Sequence, residues 1–328
     1  MAKLVLGIGS SHSPALNVPA SDYHHLAERD LNLEHFHIDG TPCSYEELLQ
    51  RRVGQFENDI RPTTISSRIQ ACNKNIEKIV SEIADTGLEA LIVVGDDQKE
   101  QYHDENMPSI LVYTGNTIQN NTLQLPDHSP EYWKHARSQF HEKECNRDYP
   151  VASGLALHLA NHLVNREFDI SHSKRLQRDR GEGHAFGFVH RRLMKENIIP
   201  IVPIVLNTYY PPNQPRPARC IALGQAIKEG VENLPAALRV GIIASGGLSH
   251  FTIDEVFDRK LLDAMKKNDR TLLSSIPVNK LKSGNSEIRN WLTVFGAVDG
   301  LSMHWNDYQP CYRTSAGTGC GMAFSIWK

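Results

Sequence analysis

Four short apolar runs, residues 4–8, 91–95, 201–206 and 240–245, do most to limit what this chain can fold into. Each is too short for a buried helix, lacks the alternation of a half-exposed strand, and stops at Gly, Ser, Asp or Pro, as a fully buried strand does. Between them lie segments with apolar residues at helical spacing. Residues 64–86 carry Ile65, Ile69, Ile76, Ile79, Val80 and Ile83 and close on Gly87, and residues 152–165 and 218–229 read as two more helices, the latter closed by Gly230. Residues 254–300 are mostly helical, and residues 323–326 are the last strand. Strands buried on both sides and separated by helices predict one α/β domain over residues 1–328, with a mostly parallel or mixed sheet covered on both faces. Residues 15–62 are polar and irregular apart from a helix at 44–49, and read as an excursion covering the domain, with its histidines in solvent.

In such sheets ligands bind beyond the carboxyl ends of the strands. Three of those ends carry polar groups suited to chemistry: His12 after the first, Asp96-Asp97-Gln98 after the second, and Gly246-Gly247-Leu248-Ser249-His250 after the fourth. A lone histidine is more often structural than functional, and only its strand-end position singles out His12. The two glycines before His250 let the backbone approach a ligand closely, beside an imidazole able to act as base or metal ligand. His184, in Gly181-Glu182-Gly183-His184, reads equally as a surface turn, and Glu287, one turn before Trp291 on a helix, as a solvated carboxylate. His158 and His162 have the i,i+4 spacing of a metal pair but no Glu between them, and read as helix surface.

Other classes are excluded by what is missing. Lys and Arg total 35 against 38 Asp and Glu, a formal charge of -3, which supplies no positive field for nucleic acid or an anionic membrane. The apolar start MAKLVLGIG is too short for a signal or spanning segment, so a cytoplasmic protein is expected. Six scattered cysteines form no C-x-x-C pair and no disulfide framework. Gly7-x-Gly9 lacks the third glycine of a dinucleotide site, and neither a phosphate loop nor a G-x-S-x-G elbow occurs.

Taken in order, S-S-H-S-P, V-V-G-D-D-Q, G-E-G-H, G-G-L-S-H, E-I-R-N-W and T-G-C-G-M-A-F resemble the class III extradiol ring-cleaving dioxygenases, with protocatechuate 4,5-dioxygenase catalytic subunits as the type, over nearly the whole chain. The resemblance implies an oxidoreductase that cleaves a substituted catechol or related hydroxylated aromatic with O₂. It implies non-haem Fe(II) held by two histidines and a glutamate, an arrangement that leaves positions open for substrate and O₂. His12 and Glu287 match two of those ligands. The third matches Gln98, where the family has histidine, and a neutral amide oxygen is a weaker donor; His103 and His37 are the other imidazoles that could substitute. By the same resemblance His250 is the catalytic base, His184 a catalytic residue that hydrogen-bonds the substrate or oxygen, and Asp97 a residue behind the metal ligands that orients its neighbours. Arg289 and Lys99 are candidate contacts for a substrate carboxylate. The partners implied are a small aromatic substrate and O₂, in a homo-oligomer or with a small second subunit. Gln98 also motivates an alternative, a metal-independent hydrolase or lyase using His184, His250 and Glu287 for acid-base chemistry. A non-enzymatic binding or scaffold role is the third reading.

Overall fold

The computed structural model describes residues 1–328, the side chain of Ala20 excepted. Twelve strands occur among them: β1 (Lys3–Ser10), β2 (His35–Phe36), β3 (Pro42–Cys43), β4 (Ala90–Asp96), β5 (Ile110–Tyr113), β6 (Thr117–Asn120), β7 (Arg147–Pro150), β8 (Ser171–Ser173), β9 (Ile201–Leu206), β10 (Arg239–Ser245), β11 (Met303–Tyr312) and β12 (Gly319–Trp327). Eight form one mixed sheet in the order β11-β12-β1-β10-β4-β9-β5-β8. The four apolar runs of the sequence are its central strands β1, β10, β4 and β9, parallel to one another. Antiparallel pairing begins on either side, at β12 and at β5.

Both faces of the sheet are buried, as continuous apolar runs require. On β4, Ile92 and Val94 enter one core with helices Ser153–Asn165, Pro217–Glu232, Glu255–Lys266 and Ile288–Ala297. Leu91 and Val93 enter the other, against helices Pro62–Asp85 and Gly183–Phe188. This is the period-two alternation of a strand with no solvent side.

Two glycines of β1 set the position of the helix that matters most. A register shift between Leu4 and Leu6 turns Gly7 and Gly9 toward helix Ile288–Ala297. A Cβ at Gly7 would lie 2.2 Å from Val298, and one at Gly9 2.2 Å from the Trp291 ring, so this strand surface is flat only because both are glycine. The helix lies directly on the strand and points its first turn at the strand's carboxyl end.

Several expectations need correction. Helix Pro217–Glu232 runs past Gly230, which is not its cap. A Cβ there would sit 2.7 Å from Leu159, so that glycine permits close packing on helix Ser153–Asn165. Strands β5, β8 and β11 lie outside every element expected from the sequence, and β12 is longer than residues 323–326. The excursion contains two helices, Tyr23–Asp30 and Tyr45–Arg52, and the hairpin β2–β3. His35 and His37 are buried within it, His35 through a hydrogen bond to the Asp30 carbonyl.

Candidate active site

The parallel register places Ser10 beside Ser245, Ala244 beside Val94 and Asp96 beside Leu206, so four strands end level with one another. The turns beyond them carry His12, Gly246 to His250, Gln98 and Tyr209. Helix Ile288–Ala297 adds Glu287 at its start, and helix Gly183–Phe188 adds His184 in its first turn. Gln98, His184, His250 and Glu287 thus join His12 around one cavity of about 290 Å³.

Each side chain is held by neighbours. Trp291 donates its indole N–H to the Gly246 carbonyl at 2.8 Å, locking the helix to the turn after β10. Gly246, with φ +156°, leaves room for Glu287, whose side chain a Cβ there would meet at 3.1 Å. Glu287 Oε2 accepts the Gly247 N–H at 2.7 Å, and Oε1 lies 3.3 Å from His250 Nε2. The two glycines before His250 therefore admit the carboxylate. Gly284 packs against the His250 ring, where any Cβ would lie 2.1 Å away.

The two imidazoles facing Glu287 are oriented alike. The Ser245 hydroxyl donates to the Ala185 carbonyl at 2.7 Å, so its lone pair accepts from His12 Nδ1 at 3.0 Å. His184 Nδ1 donates to Glu100 Oε2 at 2.7 Å, and the His184 backbone N–H also donates to that carboxylate at 3.1 Å. Gly183, with φ +65°, lets Glu100 approach, since a Cβ there would meet Oε2 at 2.8 Å. Both Nε2 atoms consequently face the same space. The donor atoms of His12, His184 and Glu287 all lie within 4.8 Å of one another, and all three residues are buried.

Gln98 stands on the open side of this group. Its amide nitrogen is 3.3 Å from Glu287 Oε1, 3.5 Å from Asp96 Oδ2 and 3.5 Å from His184 Nε2. Asp97 faces away from the cavity and accepts the backbone N–H groups of Gln101 and Tyr102 at 2.8 and 3.1 Å, which ties the turn bearing Gln98 and Glu100.

Burial and mutual charge shape the proton distribution. Burial, followed by the nearby His184, holds His12 down at about 3, a neutral imidazole at neutral pH. Burial opposes ionisation of Glu287, but His250, His12 and His184 together outweigh it and draw the carboxyl to about 2. Burial likewise disfavours the His184 cation, yet the Glu100 carboxylate overrides it and raises the imidazole to about 9. Burial and then Glu287 lift Asp96 to about 7.

The other residues singled out by sequence lie elsewhere. Arg289 is buried and donates to the carbonyls of Pro215, Thr208, Leu281 and Ser286, clamping loops together. Lys99 pairs with Asp104. His103 is not on the cavity wall, and His37 lines a neighbouring crevice that shares His250 with it. His158 and His162 pack toward helix Pro217–Glu232, at the Gly230 carbonyl and Glu229. Sequence reasoning passed over Glu100 and Ser245, the partners of the two imidazoles, because each acts on a histidine 84 or 233 positions away; nothing local marks them. Tyr209, whose hydroxyl lies 3.4 Å from Glu287 Oε1, follows the third apolar run in a Tyr-Tyr-Pro-Pro segment that carries no local mark of a site.

The family model described as the catalytic LigB subunit of aromatic ring-opening dioxygenase matches residues 59–321. The chain belongs to this family. His12 lies ahead of the matched segment, although the fold brings it against residues inside it. Among curated relatives, the chain is 42% identical over 100 residues to a 2,3-dihydroxyphenylpropionate/2,3-dihydroxicinnamic acid 1,2-dioxygenase of Comamonas testosteroni, covering 30% of each chain. It is 28% identical over 168 residues to the gallate dioxygenase of Pseudomonas putida, covering 46% of this LigB-family chain and 48% of the relative. The matches therefore span less than half the length of these relatives. Among the described residues no helix is long and apolar enough to cross a membrane.

Proposed function

We propose that this LigB-family chain is an Fe(II)-dependent extradiol dioxygenase that opens the ring of a hydroxylated aromatic with O₂. The observation that carries the reading is the convergence of His12, His184 and Glu287, with His250 beside them, at one cavity. The donor chemistry fits a divalent ion: a carboxylate held ionised, and imidazoles whose Nδ1 atoms are engaged so that Nε2 faces inward. His12 and Glu287 would hold the iron, which when bound brings the electron-rich diol and O₂ together and passes electrons between them.

The chain's own groups do the remaining work. His250 anchors Nδ1 on the Leu248 carbonyl at 2.9 Å, which turns Nε2 toward Glu287 and the cavity. Against burial, Glu287 holds this imidazole well above its ordinary value. It would therefore give its proton in ring opening, and would take a catechol hydroxyl proton once a bound divalent ion neutralises the carboxylate. Tyr209 offers its hydroxyl to the same carboxylate oxygen, Glu287 Oε1, at 3.4 Å. Leu26, Leu33, Trp133 and Phe140 give the cavity apolar walls, and its volume suits a single substituted ring, being at the small end of ligand pockets (about 300–1,000 Å³).

Three arginines reach the cavity. Arg313 is bound by Asp30 at 3.0 Å, and Arg137 lies 3.6 Å from Glu100. Arg29 stacks on Trp133 at 3.8 Å and has no carboxylate partner among the described residues. That supports an anionic substituent on the substrate, as in the aromatic acids named for the relatives. The test is an oxygen-electrode trace of anaerobically purified, Fe(II)-loaded protein on a panel of catechols with and without carboxylates. Uptake of O₂ with loss of the aromatic absorbance is expected; no uptake on any member overturns the reading. The alternative, metal-independent acid-base chemistry by His184, His250 and Glu287, is favoured by Gln98 alone, and predicts turnover that survives removal of all metal.

A further inference from the structure

We propose that His184 is the third protein ligand of the metal centre and that Gln98 stands outside the ligand set as a hydrogen-bond donor. The inference deepens the dioxygenase reading and rests on it. It also assigns to His184 a different task from the hydrogen-bonding role that the family resemblance suggests.

The amide of Gln98 carries the first argument. Its nitrogen faces Glu287 Oε1 and Asp96 Oδ2 at 3.3 and 3.5 Å and lies 3.5 Å from His184 Nε2. Only an N–H₂ group suits the ionised Glu287 carboxylate, the nearer of the two, so the amide oxygen points away from it. An amide nitrogen has no lone pair to give a metal. Turning the group over to present its oxygen would set that oxygen against the Glu287 carboxylate, so the neighbour that orients Gln98 also keeps it from ligation.

His184 has what Gln98 lacks. Its ring stands nearly perpendicular to that of His12, at 86° with centroids 4.8 Å apart, and this lets two Nε2 atoms approach one point without the rings colliding. Nδ1 donates to a carboxylate, Glu100, in the carboxylate–histidine pairing that orients imidazoles on metals and raises their basicity. Two imidazoles and a carboxylate on one side of a cavity restore a facial set with open positions toward the substrate. With the Nε2 pair of His184 committed to the metal, acid-base work falls to His250 alone.

Anaerobic titration with Co(II), followed by calorimetry and by the visible ligand-field spectrum, tests this without turnover. Expected outcomes are a loss of affinity of about 100-fold or more and an altered spectrum for His184→Gln, with Gln98→Ala within about 3-fold of the unsubstituted protein and spectrally unchanged. Glu100→Gln, which keeps the imidazole but weakens its support, should lose about 10–100-fold. It stands in for His184→Gln should circular dichroism show that variant unfolded. A loss of affinity on Gln98→Ala, or none on the His184 and Glu100 substitutions, overturns the assignment. Unsubstituted protein that binds no Co(II) overturns the assignment and the iron-dependent reading together; tight binding through His184 without O₂ uptake on any catechol sinks the dioxygenase reading alone.

Discussion

Replacing Ser245 by Ala removes a single buried hydroxyl that touches no cavity, yet it should loosen the metal centre. The hydroxyl makes two bonds, accepting from His12 Nδ1 at 3.0 Å and donating to the Ala185 carbonyl at 2.7 Å, with no solvent exposure. Its loss orphans two buried polar groups, each at about 1–3 kcal/mol, so the fold should lose roughly 2–6 kcal/mol and melt several degrees lower. At the site, the proton that Ser245 keeps on Nδ1 is freed to sit on Nε2 instead, where it blocks ligation. Lost outer support of this kind costs about 10–100-fold in metal affinity, equivalent to about 1.4–2.7 kcal/mol. Co(II) titration and thermal melting measure both effects. Ser325→Ala is the control, because that hydroxyl is equally buried but lacks any hydrogen-bond partner, and its removal should change neither quantity. Unaltered affinity and melting temperature in Ser245→Ala would refute the reasoning.

Gly9→Ala places a methyl 2.2 Å from the Trp291 ring, so helix Ile288–Ala297 must move; a stability loss of about 1–3 kcal/mol and weakened Co(II) binding are expected, and a neutral result would show that the helix is not seated by that glycine. Arg29→Ala should raise KM several-fold for a catechol bearing a carboxylate and leave a neutral catechol unaffected; equal effects on both would remove Arg29 from substrate recognition. Burial lifts Asp258 to about 7 despite bonds from Ser249 and Tyr308, so the native state keeps a proton that the unfolded chain releases near 3.8. The native state therefore binds more protons between about pH 4 and 7, and this group's contribution to stability falls as pH rises through that window. Denaturant melts at several pH values should show the stability advantage over Asp258→Asn shrinking as pH rises; an advantage that grew would contradict the sign.

Much of the site could be read in the chain because strand-end motifs are local. A short apolar run followed by Gly, Ser and His announces where a buried strand empties, and His12, Gln98 and His250 were found on that basis. The turn around His184 and the helix holding Glu287 read as ordinary surface, since neither segment contains the reason for its burial. Gly181 and Gly183 hint at an unusual backbone, and both have positive φ, but the carboxylate that Gly183 admits lies 83 positions earlier. The short strands β5 and β8 escaped for a related reason: four and three residues carry too little periodicity to stand out.

Apolar periodicity by itself determined the layered α/β class and the four central strands, because burial on both faces demands unbroken hydrophobic runs whatever else the chain does. Family membership was likewise written in spaced motifs. Only the tertiary structure decided which groups share protons and donor atoms. Parallel pairing levels the strand ends, the glycines of β1 seat the helix that delivers Glu287, and the orientations of the His12, His184 and Gln98 side chains follow from Ser245, Glu100, Asp96 and Glu287. Those partners act through angles and distances across elements remote in the chain, and such geometry has no local signature for a sequence to display.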